Sequence, residues 1–227
     1  MIDLLRQSDP LLLAVVFVAA YLIGSVPNAW VITKVLTGED LTEHGTGNVG
    51  AMNVRRTTGS WGWFTVTMVA DGLKGLLPTL LFSSGLAATM WPTMSTPSRV
   101  AAMAAVLGSV TGHNYSVWLA LIKRRFSPSG KGLATGGGAL LAYDWRYFLL
   151  VLCVGLAVIA VTRVLLAGQV AAAVALPVYA IVSRAPDWPF ALLLGAAVYL
   201  RHHKRFLGLV MGKEPRLYIE DGQGPRG

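Results

Sequence analysis

The residues best suited to chemistry lie in one short stretch, residues 43–56, which reads EHGTGNVGAMNVRR. Its glycines allow the main chain to turn sharply and to approach a ligand closely, and consecutive backbone N–H groups in such a turn can bind an anion. Thr46 offers a hydroxyl, and Arg56 carries a planar guanidinium that suits phosphate. The candidate ligand contacts here are Gly45, Thr46, Gly47, Asn48, Asn53 and Arg56. For this stretch alone, a solvated loop whose glycines merely turn the chain is the alternative.

A second stretch, Ser129-Gly130-Lys131-Gly132, resembles a phosphate-binding loop, because glycines flank a lysine that offers a compact positive charge. It lacks the spacing of a Walker A motif. Together with Arg56 and the basic cluster 201–205, which contains His202 and Arg205, Lys131 could form a cationic pocket for small phosphate esters. A belt of basic residues that faces lipid headgroups is the alternative.

The composition indicates that these residues belong to a membrane protein. Of the 227 residues, 54% are hydrophobic and only 13% are charged, whereas about a quarter are charged in a soluble domain. Several apolar runs approach the ~20 residues that a membrane-spanning helix needs. We therefore expect an all-α polytopic membrane protein with one domain over residues 1–227 and seven transmembrane helices joined by short cytoplasmic active-site loops. The seven spans are placed at 10–36, 61–90, 99–122, 133–143, 147–162, 166–182 and 188–200.

Two of these spans contain polar residues that need partners. Gly24, Ser25 and Pro27 interrupt the first span, and the backbone groups that they free must be satisfied by a neighbouring helix, so this is a packing or kink site. Asp71 and Lys74 lie three residues apart on one face of the second span. Charges at membrane depth usually pair, so we predict a structural ion pair that holds this helix to the 43–56 loop. Direct ligand contact is the alternative.

The basic residues predict the orientation of the chain. The net charge is +8, but these residues sit beside the spans, so we expect them to meet anionic headgroups or substrate rather than nucleic acid. An excess of Lys and Arg marks the cytoplasmic side, which places the N-terminus outside, the C-terminus in the cytoplasm and the three polar segments on the cytoplasmic face. The inner segments then hold Lys34, Arg55, Arg56, Lys123, Arg124, Arg125, Lys131, Arg163, Arg201, Lys204, Arg205, Lys213, Arg216 and Arg226, and the outer ones hold Arg6, Arg99, Arg146 and Arg184.

Six blocks of the sequence, in order over most of the chain, resemble the PlsY family of bacterial membrane glycerol-3-phosphate acyltransferases. They are GSVPNAW at 24–30, EHGTGNVGAMNVRRTTG at 43–59, DGLKG at 71–75, GHNYSVWL at 112–119, SGKGLATG at 129–136 and RHH…GKEP at 201–215. The resemblance implies seven transmembrane helices in the bacterial inner membrane and a cytoplasmic-side active site. It also implies acylation of the sn-1 hydroxyl of glycerol-3-phosphate by a fatty acyl-phosphate, which gives lysophosphatidic acid for phospholipid synthesis.

The resemblance also implies roles for single residues. The serine of the family's first motif falls on Thr46, its phosphate-binding arginine on Arg56, its loop lysine on Lys131 and its C-terminal histidine on His202. This chain departs from the family pattern at three places. Where the family has GGKG, this chain has Ser129 in place of the first glycine. Where the family has an asparagine three residues after the histidine, this chain has Arg205. The family also has a serine a few residues after Thr-Arg in the fifth span; this chain has none there, and Gln169 is the donor that could replace it.

The reaction hypothesis is acyl transfer from an acyl-phosphate, a mixed anhydride with a good leaving group, so that positioning and charge stabilisation suffice. Arg56, Lys131 and Arg205 would hold phosphates, Thr46 would donate to developing negative charge, and His202 would donate to a substrate phosphate or act as a general base. No histidine is followed by an aspartate five residues later, as in common glycerolipid acyltransferases, and no metal-ligand cluster is present, so we expect no metal and no cofactor. We expect a monomer that works beside membrane lipid. A transporter or binding protein for small organic phosphates is the second hypothesis.

Overall fold

Helices make up the regular structure that the computed structural model describes, which covers residues 6, 8–83 and 98–212 and excludes the side chains at 98, 202–204, 207 and 210. The all-α prediction is therefore confirmed for these residues. The helices are α1 Pro10–Gly24, α2 Asn28–Thr37, a 3₁₀ turn at Leu41–Glu43, α3 Ala51–Thr58, α4 Trp61–Ser83, α5 Ser98–Asn114, α6 Val117–Lys123, α7 Leu133–Tyr143, α8 Trp145–Thr162, α9 Leu165–Val182 and α10 Trp188–Val210.

Four segments of the described chain are long and apolar enough to cross a bilayer: Pro10–Thr37, Trp61–Ser83, Trp145–Thr162 and Leu165–Val182. Leu133–Tyr143 and Trp188–Arg201 are shorter apolar helices. Large apolar side chains cover the outside of these helices, as Leu11, Val35 and Val161 illustrate with exposures of 73%, 79% and 85%. This surface fits a lipid solvent, and the number of seven spans stays a prediction.

The chain divides into two compact units, one up to Phe148 and the other from Leu149. In the first unit α4 lies at the centre and packs against α5 and α7, while α1 packs along α5. Glycines bring these helices into backbone contact: a Cβ on Gly75 would lie 2.0 Å from the carbonyl oxygen of Thr135, and one on Gly138 would lie 2.1 Å from that of Gly72. Small residues at such crossings are typical of membrane helix packing.

The second unit contains most of α8 together with α9 and α10. Helices α9 and α10 pack against each other, with Gly195 against the carbonyl of Ala173. Gly168 of α9 lies against Gly155 and Ile159 of α8. The single-domain prediction stays a prediction.

Two of the predicted spans are broken, and both breaks lie at the site described below. The first break, residues 25–27, separates α1 from α2, and the second break, residues 115–116, separates α5 from α6. Pro27 has no backbone N–H to continue a helix, so the predicted kink site is confirmed. The second break was not predicted; it arises because the Ser116 side chain accepts from the N–H of Leu119 and starts a new helix there.

The two breaks satisfy each other's backbone groups. The Trp118 indole donates to the carbonyl of Leu22 at 2.9 Å, the Ser116 hydroxyl donates to the carbonyl of Ser25, and the Tyr21 hydroxyl donates to the carbonyl of Tyr115 at 2.8 Å. Unpaired backbone groups are costly away from water. The broken helices therefore stabilise each other as a pair.

Candidate active site

The two glycine-rich stretches of the sequence meet in the structure. We call residues 44–50 the first glycine loop and residues 129–132 the second glycine loop. The backbone N–H of Val49 in the first loop donates to the carbonyl of Ser129 in the second at 2.9 Å. Val49 is buried, with 4% exposure, so solvent hardly competes for this bond. Two of the three polar segments that were predicted to lie on one face are thus in contact; the position of the third, residues 201–205, stays a prediction.

The buried side chain of Asn53 holds the first glycine loop in shape by hydrogen bonds. Its side-chain amide donates to the carbonyls of Leu41 at 3.2 Å and His44 at 3.0 Å, and the residue is 2% exposed. Gly45 and Gly47 have φ of 56° and 65°, a region that favours glycine. A Cβ on Gly45 would lie 2.3 Å from Asn53 Oδ1. The loop thus folds tightly over Asn53 and leaves Thr46 exposed at its tip.

A polar cluster around Asp40 connects the segment before the first glycine loop to α6. The Asp40 carboxylate accepts from the Trp30 indole at 3.1 Å, from the hydroxyl of Thr42 at 2.6 Å and from its N–H at 3.0 Å. Lys123, at the end of α6, forms an ion pair with Asp40 and lies 3.4 Å from Glu43. We call Asp40, Thr42, Trp30 and Lys123 the Asp40 clamp.

The charges of the clamp stabilise each other. Burial alone would raise the pKa of the Asp40 carboxyl, but hydrogen bonds from Lys123, Thr42 and Trp30 outweigh this effect and lower that pKa to about 2. The hydrogen bond to Asp40 raises the pKa of Lys123 above its usual 10.5. Both groups are therefore charged throughout the physiological pH range.

The second glycine loop is fastened mainly by Ser129, which is 3% exposed. Its N–H donates to the carbonyl of Asn114 at 2.8 Å, its carbonyl accepts from Val49, and its hydroxyl donates to the carbonyl of His113 at 2.8 Å. The hydroxyl also accepts from the N–H of Ser116 at 3.1 Å. One residue thus joins the end of α5, the start of α6 and the first glycine loop.

The remaining residues of the second loop pack against the end of α5. The Gly130 N–H donates to the carbonyl of His113 at 3.1 Å, and a Cβ on Gly130 would lie 2.0 Å from the imidazole Nε2. Gly132 has φ of 73° and lies beside the Asn114 side chain. Lys131, between these two buried glycines, is half-buried.

Each glycine loop leads directly into the N-terminus of a helix. The first runs into α3 through Gly50, and the second runs into α7 through Gly132. Helix N-termini present unpaired N–H groups and partial positive charge, which favours anions. On α3, the guanidinium of Arg55 stacks on the Trp61 ring at 3.8 Å, whereas Arg56 is exposed. The site therefore combines two helix N-termini with two basic side chains.

A buried ion pair supports this arrangement from within the membrane span. Lys74 Nζ lies 3.0 Å from Asp71 Oδ1, and both side chains are less than a tenth exposed. Asn28 donates to the same carboxylate oxygen at 3.2 Å, and Lys74 donates to the carbonyl of Val26 at 2.7 Å. The predicted ion pair is confirmed, but it holds α4 to the first break rather than to the first glycine loop.

The residues that the sequence predicts as ligand contacts differ in their exposure in the structure. Thr46 and Arg56 are exposed and Lys131 is half-buried. Asn53 and Ser129 are buried, and the Asn53 amide N–H groups and the Ser129 hydroxyl donate to main-chain carbonyls. Gly45, Gly47, Asn48, Gly130 and Gly132 lie in the two glycine loops. His202 belongs to α10, but its side chain lies outside the described residues, and Arg205 lies on the same helix in the second unit.

Sequence reasoning missed the Asp40 clamp and the serine at the second break. Asp40 and Lys123 are far apart in the chain, so no local pattern connects them. Ser116 did carry a signal, because a serine just before an apolar run is a typical helix N-cap.

Comparison with known proteins places this chain in a family. Residues 14–212 match the family model described as glycerol-3-phosphate acyltransferase. Glycerol-3-phosphate acyltransferases of Gluconobacter oxydans and Thermosynechococcus vestitus are 35% and 33% identical to this chain; these matches cover 94% and 95% of this chain and 96% and 100% of the relatives.

Two solved structures are similar over 90% of this chain and 94% of theirs. Both are crystal structures of PlsY, an integral membrane glycerol-3-phosphate acyltransferase. The glycerol-3-phosphate form is 30% identical with a TM-score of 0.74, and the lysophosphatidic acid form is 28% identical with a TM-score of 0.72. With its apolar helices and its paired glycine loops, this chain belongs to the PlsY family of integral membrane glycerol-3-phosphate acyltransferases.

Proposed function

We propose that the protein transfers a fatty acyl group from an acyl-phosphate to the sn-1 hydroxyl of glycerol-3-phosphate. The hydroxyl oxygen attacks the carbonyl carbon, an ester bond forms, and the bond between that carbon and the phosphate oxygen breaks. The hydroxyl proton passes to a phosphate, and the products are lysophosphatidic acid and inorganic phosphate. Membership of an acyltransferase family favours this reaction over transport of small organic phosphates.

The hydrogen bond between Val49 and Ser129 carries the proposal, because it holds two anion-binding segments side by side. The reaction needs two phosphate groups at once, one on each substrate. Each glycine loop supplies a helix N-terminus, with Arg56 following the first loop and Lys131 within the second. We assign Arg56 and Lys131 to the phosphates, and Thr46 with the loop N–H groups to the charge that develops on the carbonyl oxygen.

The resemblance to the PlsY family adds two residues of α10 to this proposal. His202 would donate a hydrogen bond to a substrate phosphate, and Arg205 would add a second cationic contact. A phosphate oxygen then accepts the hydroxyl proton, so the site needs no carboxylate to orient a histidine base. Asn53 and Ser129 would act by shaping the two loops rather than by touching substrate.

We further propose that this enzyme is a monomeric single domain in a bacterial inner membrane, with seven spans, its N-terminus outside and its C-terminus in the cytoplasm. The donor would reach the site from the surrounding lipid. The excess of Lys and Arg in the inner segments supports this orientation.

The experiment that tests the reaction compares three acyl donors on the purified protein in lipid cubic phase or detergent. Glycerol-3-phosphate is supplied with palmitoyl-phosphate, palmitoyl-CoA or palmitoyl carrier protein, and lysophosphatidic acid is measured. We expect product from palmitoyl-phosphate alone. Product from another donor alone would overturn the donor assignment. Uptake of glycerol-3-phosphate into proteoliposomes without any acyl transfer would contradict the proposal that this protein catalyses acyl transfer.

The same assay tests Arg56. Arg56→Ala should lower kcat/KM by at least about 100-fold, because a charge-assisted bidentate contact to phosphate is lost. Arg125→Ala, which removes an exposed arginine from the segment before the second glycine loop, is the matched control and should keep its activity. Equal activity of the two variants would exclude Arg56 from phosphate binding.

A further inference from the structure

Three buried serines connect the second glycine loop to both helix breaks. Ser129 Oγ accepts from the N–H of Ser116 at 3.1 Å, and Ser116 Oγ donates to the carbonyl of Ser25. Their exposures are 3%, 4% and 1% for Ser129, Ser116 and Ser25. We call Ser25, Ser116 and Ser129 the three-serine link. It runs from the Lys131 segment through the second break to the first break without using a charged group.

The hydroxyl of Ser129 is the part of this link that mutation can remove with the least change of shape. It closes two bonds that no main-chain group of residue 129 makes: one to the carbonyl of His113 and one from the N–H of Ser116. Alanine at this position leaves both bonds unmade. The main-chain bonds of residue 129 to Asn114 and Val49 would remain.

We propose that Ser129 is a positioning residue for acyl transfer, whose hydroxyl fixes Lys131 relative to the first glycine loop. This inference rests on the proposed function. The lysine lies two residues after Ser129, and the Val49 bond is made by the Ser129 carbonyl. When the hydroxyl bonds are lost, the buried N–H of Ser116 loses its partner and the α5–α6 break loosens under the loop. Phosphate binding by Lys131 then weakens although no substrate contact is removed.

The test is the kinetics of Ser129→Ala with both substrates varied. We expect KM for at least one phosphate substrate to rise about tenfold, the change that corresponds to leaving the buried N–H of Ser116 without its partner, with kcat within about twofold. A purely structural role would reduce the folded fraction and hence the apparent kcat, but it would leave KM unchanged. A KM within about twofold of the original for both substrates would overturn the proposal.

Ser109→Ala is the matched control. Ser109 is fully buried, and its hydroxyl donates at 2.7 Å to the carbonyl of Ala105 in its own helix, so its removal breaks no link between segments. We expect an unchanged KM for both substrates. If Ser129→Ala does not fold, Ser129→Cys, which is close in size and only a weak donor, should raise KM by a smaller factor; an unchanged KM there would also overturn the proposal.

A second readout needs no activity. Hydrogen–deuterium exchange of the Val49 amide should be faster in Ser129→Ala than in the original protein or in Ser109→Ala, because its acceptor sits on a looser loop. Unchanged exchange would contradict the inference. Failure of the original protein to use acyl-phosphate would defeat the proposed function instead, so the two failures are distinguishable.

Discussion

The first glycine loop is fastened by side chains at its flanks, whereas the second is fastened through its own main chain and the buried Ser129. The Asp40 clamp and Asn53 hold the first loop, and Thr46 at its tip is exposed. In the second loop Ser129, Gly130 and Gly132 are buried against the end of α5, and only Lys131 is partly exposed. The tip of the first loop, with the hydroxyl of Thr46, is therefore open to water, whereas most of the second loop is buried in the core.

This difference shows that one site can place a water-exposed loop tip beside a buried, rigid loop. Partly exposed polar side chains such as those of the Asp40 clamp exchange partners with water at little cost. Main-chain hydrogen bonds in a buried turn have no such alternative, because an unpaired group there is costly. Mutations of the groups that fasten the second loop should therefore have larger effects than mutations of the Asp40 clamp that flanks the first.

The largest effect is expected for Gly130→Ala. The added Cβ would lie 2.0 Å from the His113 imidazole and 2.8 Å from its carbonyl oxygen, so the loop must move away from α5. We expect kcat/KM to fall at least about 100-fold, with a loss of about 1–3 kcal/mol in the free energy of unfolding. Acyl-transfer kinetics and thermal unfolding in detergent would measure both.

Gly137→Ala provides the control for this substitution. Gly137 lies in α7, and the nearest atom to its added Cβ is 3.8 Å away on Phe148. A helix interior favours alanine over glycine by up to ~1 kcal/mol, so this variant should be at least as stable as the original and fully active. If Gly130→Ala behaved like Gly137→Ala, the second loop would be as adaptable as the first.

The local features of this site could be predicted from sequence, and the non-local ones could not. Pro27 indicated the first break because proline ends helices by itself, and the three-residue spacing of Asp71 and Lys74 was enough to predict their ion pair. Asn53 and Ser129 were predicted as substrate contacts from their types. Their burial depends on which other segments fold over them, and no pattern around either residue contains that information.

Removal of the Asp40 carboxylate should have a smaller effect than the Gly130 substitution. Asp40→Asn loses the ion pair with Lys123 and weakens the bonds from Thr42 and Trp30. The cluster is partly exposed, so screening limits the loss of unfolding free energy to about 1 kcal/mol, and KM should rise by about two- to fivefold as the first loop loosens. Steady-state kinetics at low and high salt would measure this, with a smaller difference at high salt.

Asp144→Asn is the matched control for the clamp. Asp144 lies 3.8 Å from Arg99 and accepts from the N–H of Arg146, away from both glycine loops. Its loss should change stability slightly and leave KM unchanged. A KM shift equal to that of Asp40→Asn would mean that the clamp has no particular connection to the first loop.

The smallest effect is the acid sensitivity of the clamp. Because the pKa of Asp40 is lowered from 3.8 to about 2 in the folded protein, its stabilising effect is complete above pH 4 and is lost as the pH falls toward 2. The raised pKa of Lys123 means that its contribution is complete below 10.5 and is lost only at higher pH. The difference in unfolding temperature between the original protein and Asp40→Asn should thus be constant from about pH 5 to 9 and shrink below about pH 4. If this difference in unfolding temperature persisted unchanged at about pH 2.5, neutral hydrogen bonds rather than the carboxylate charge would hold the first loop. Both loops would then be held by the same kind of interaction.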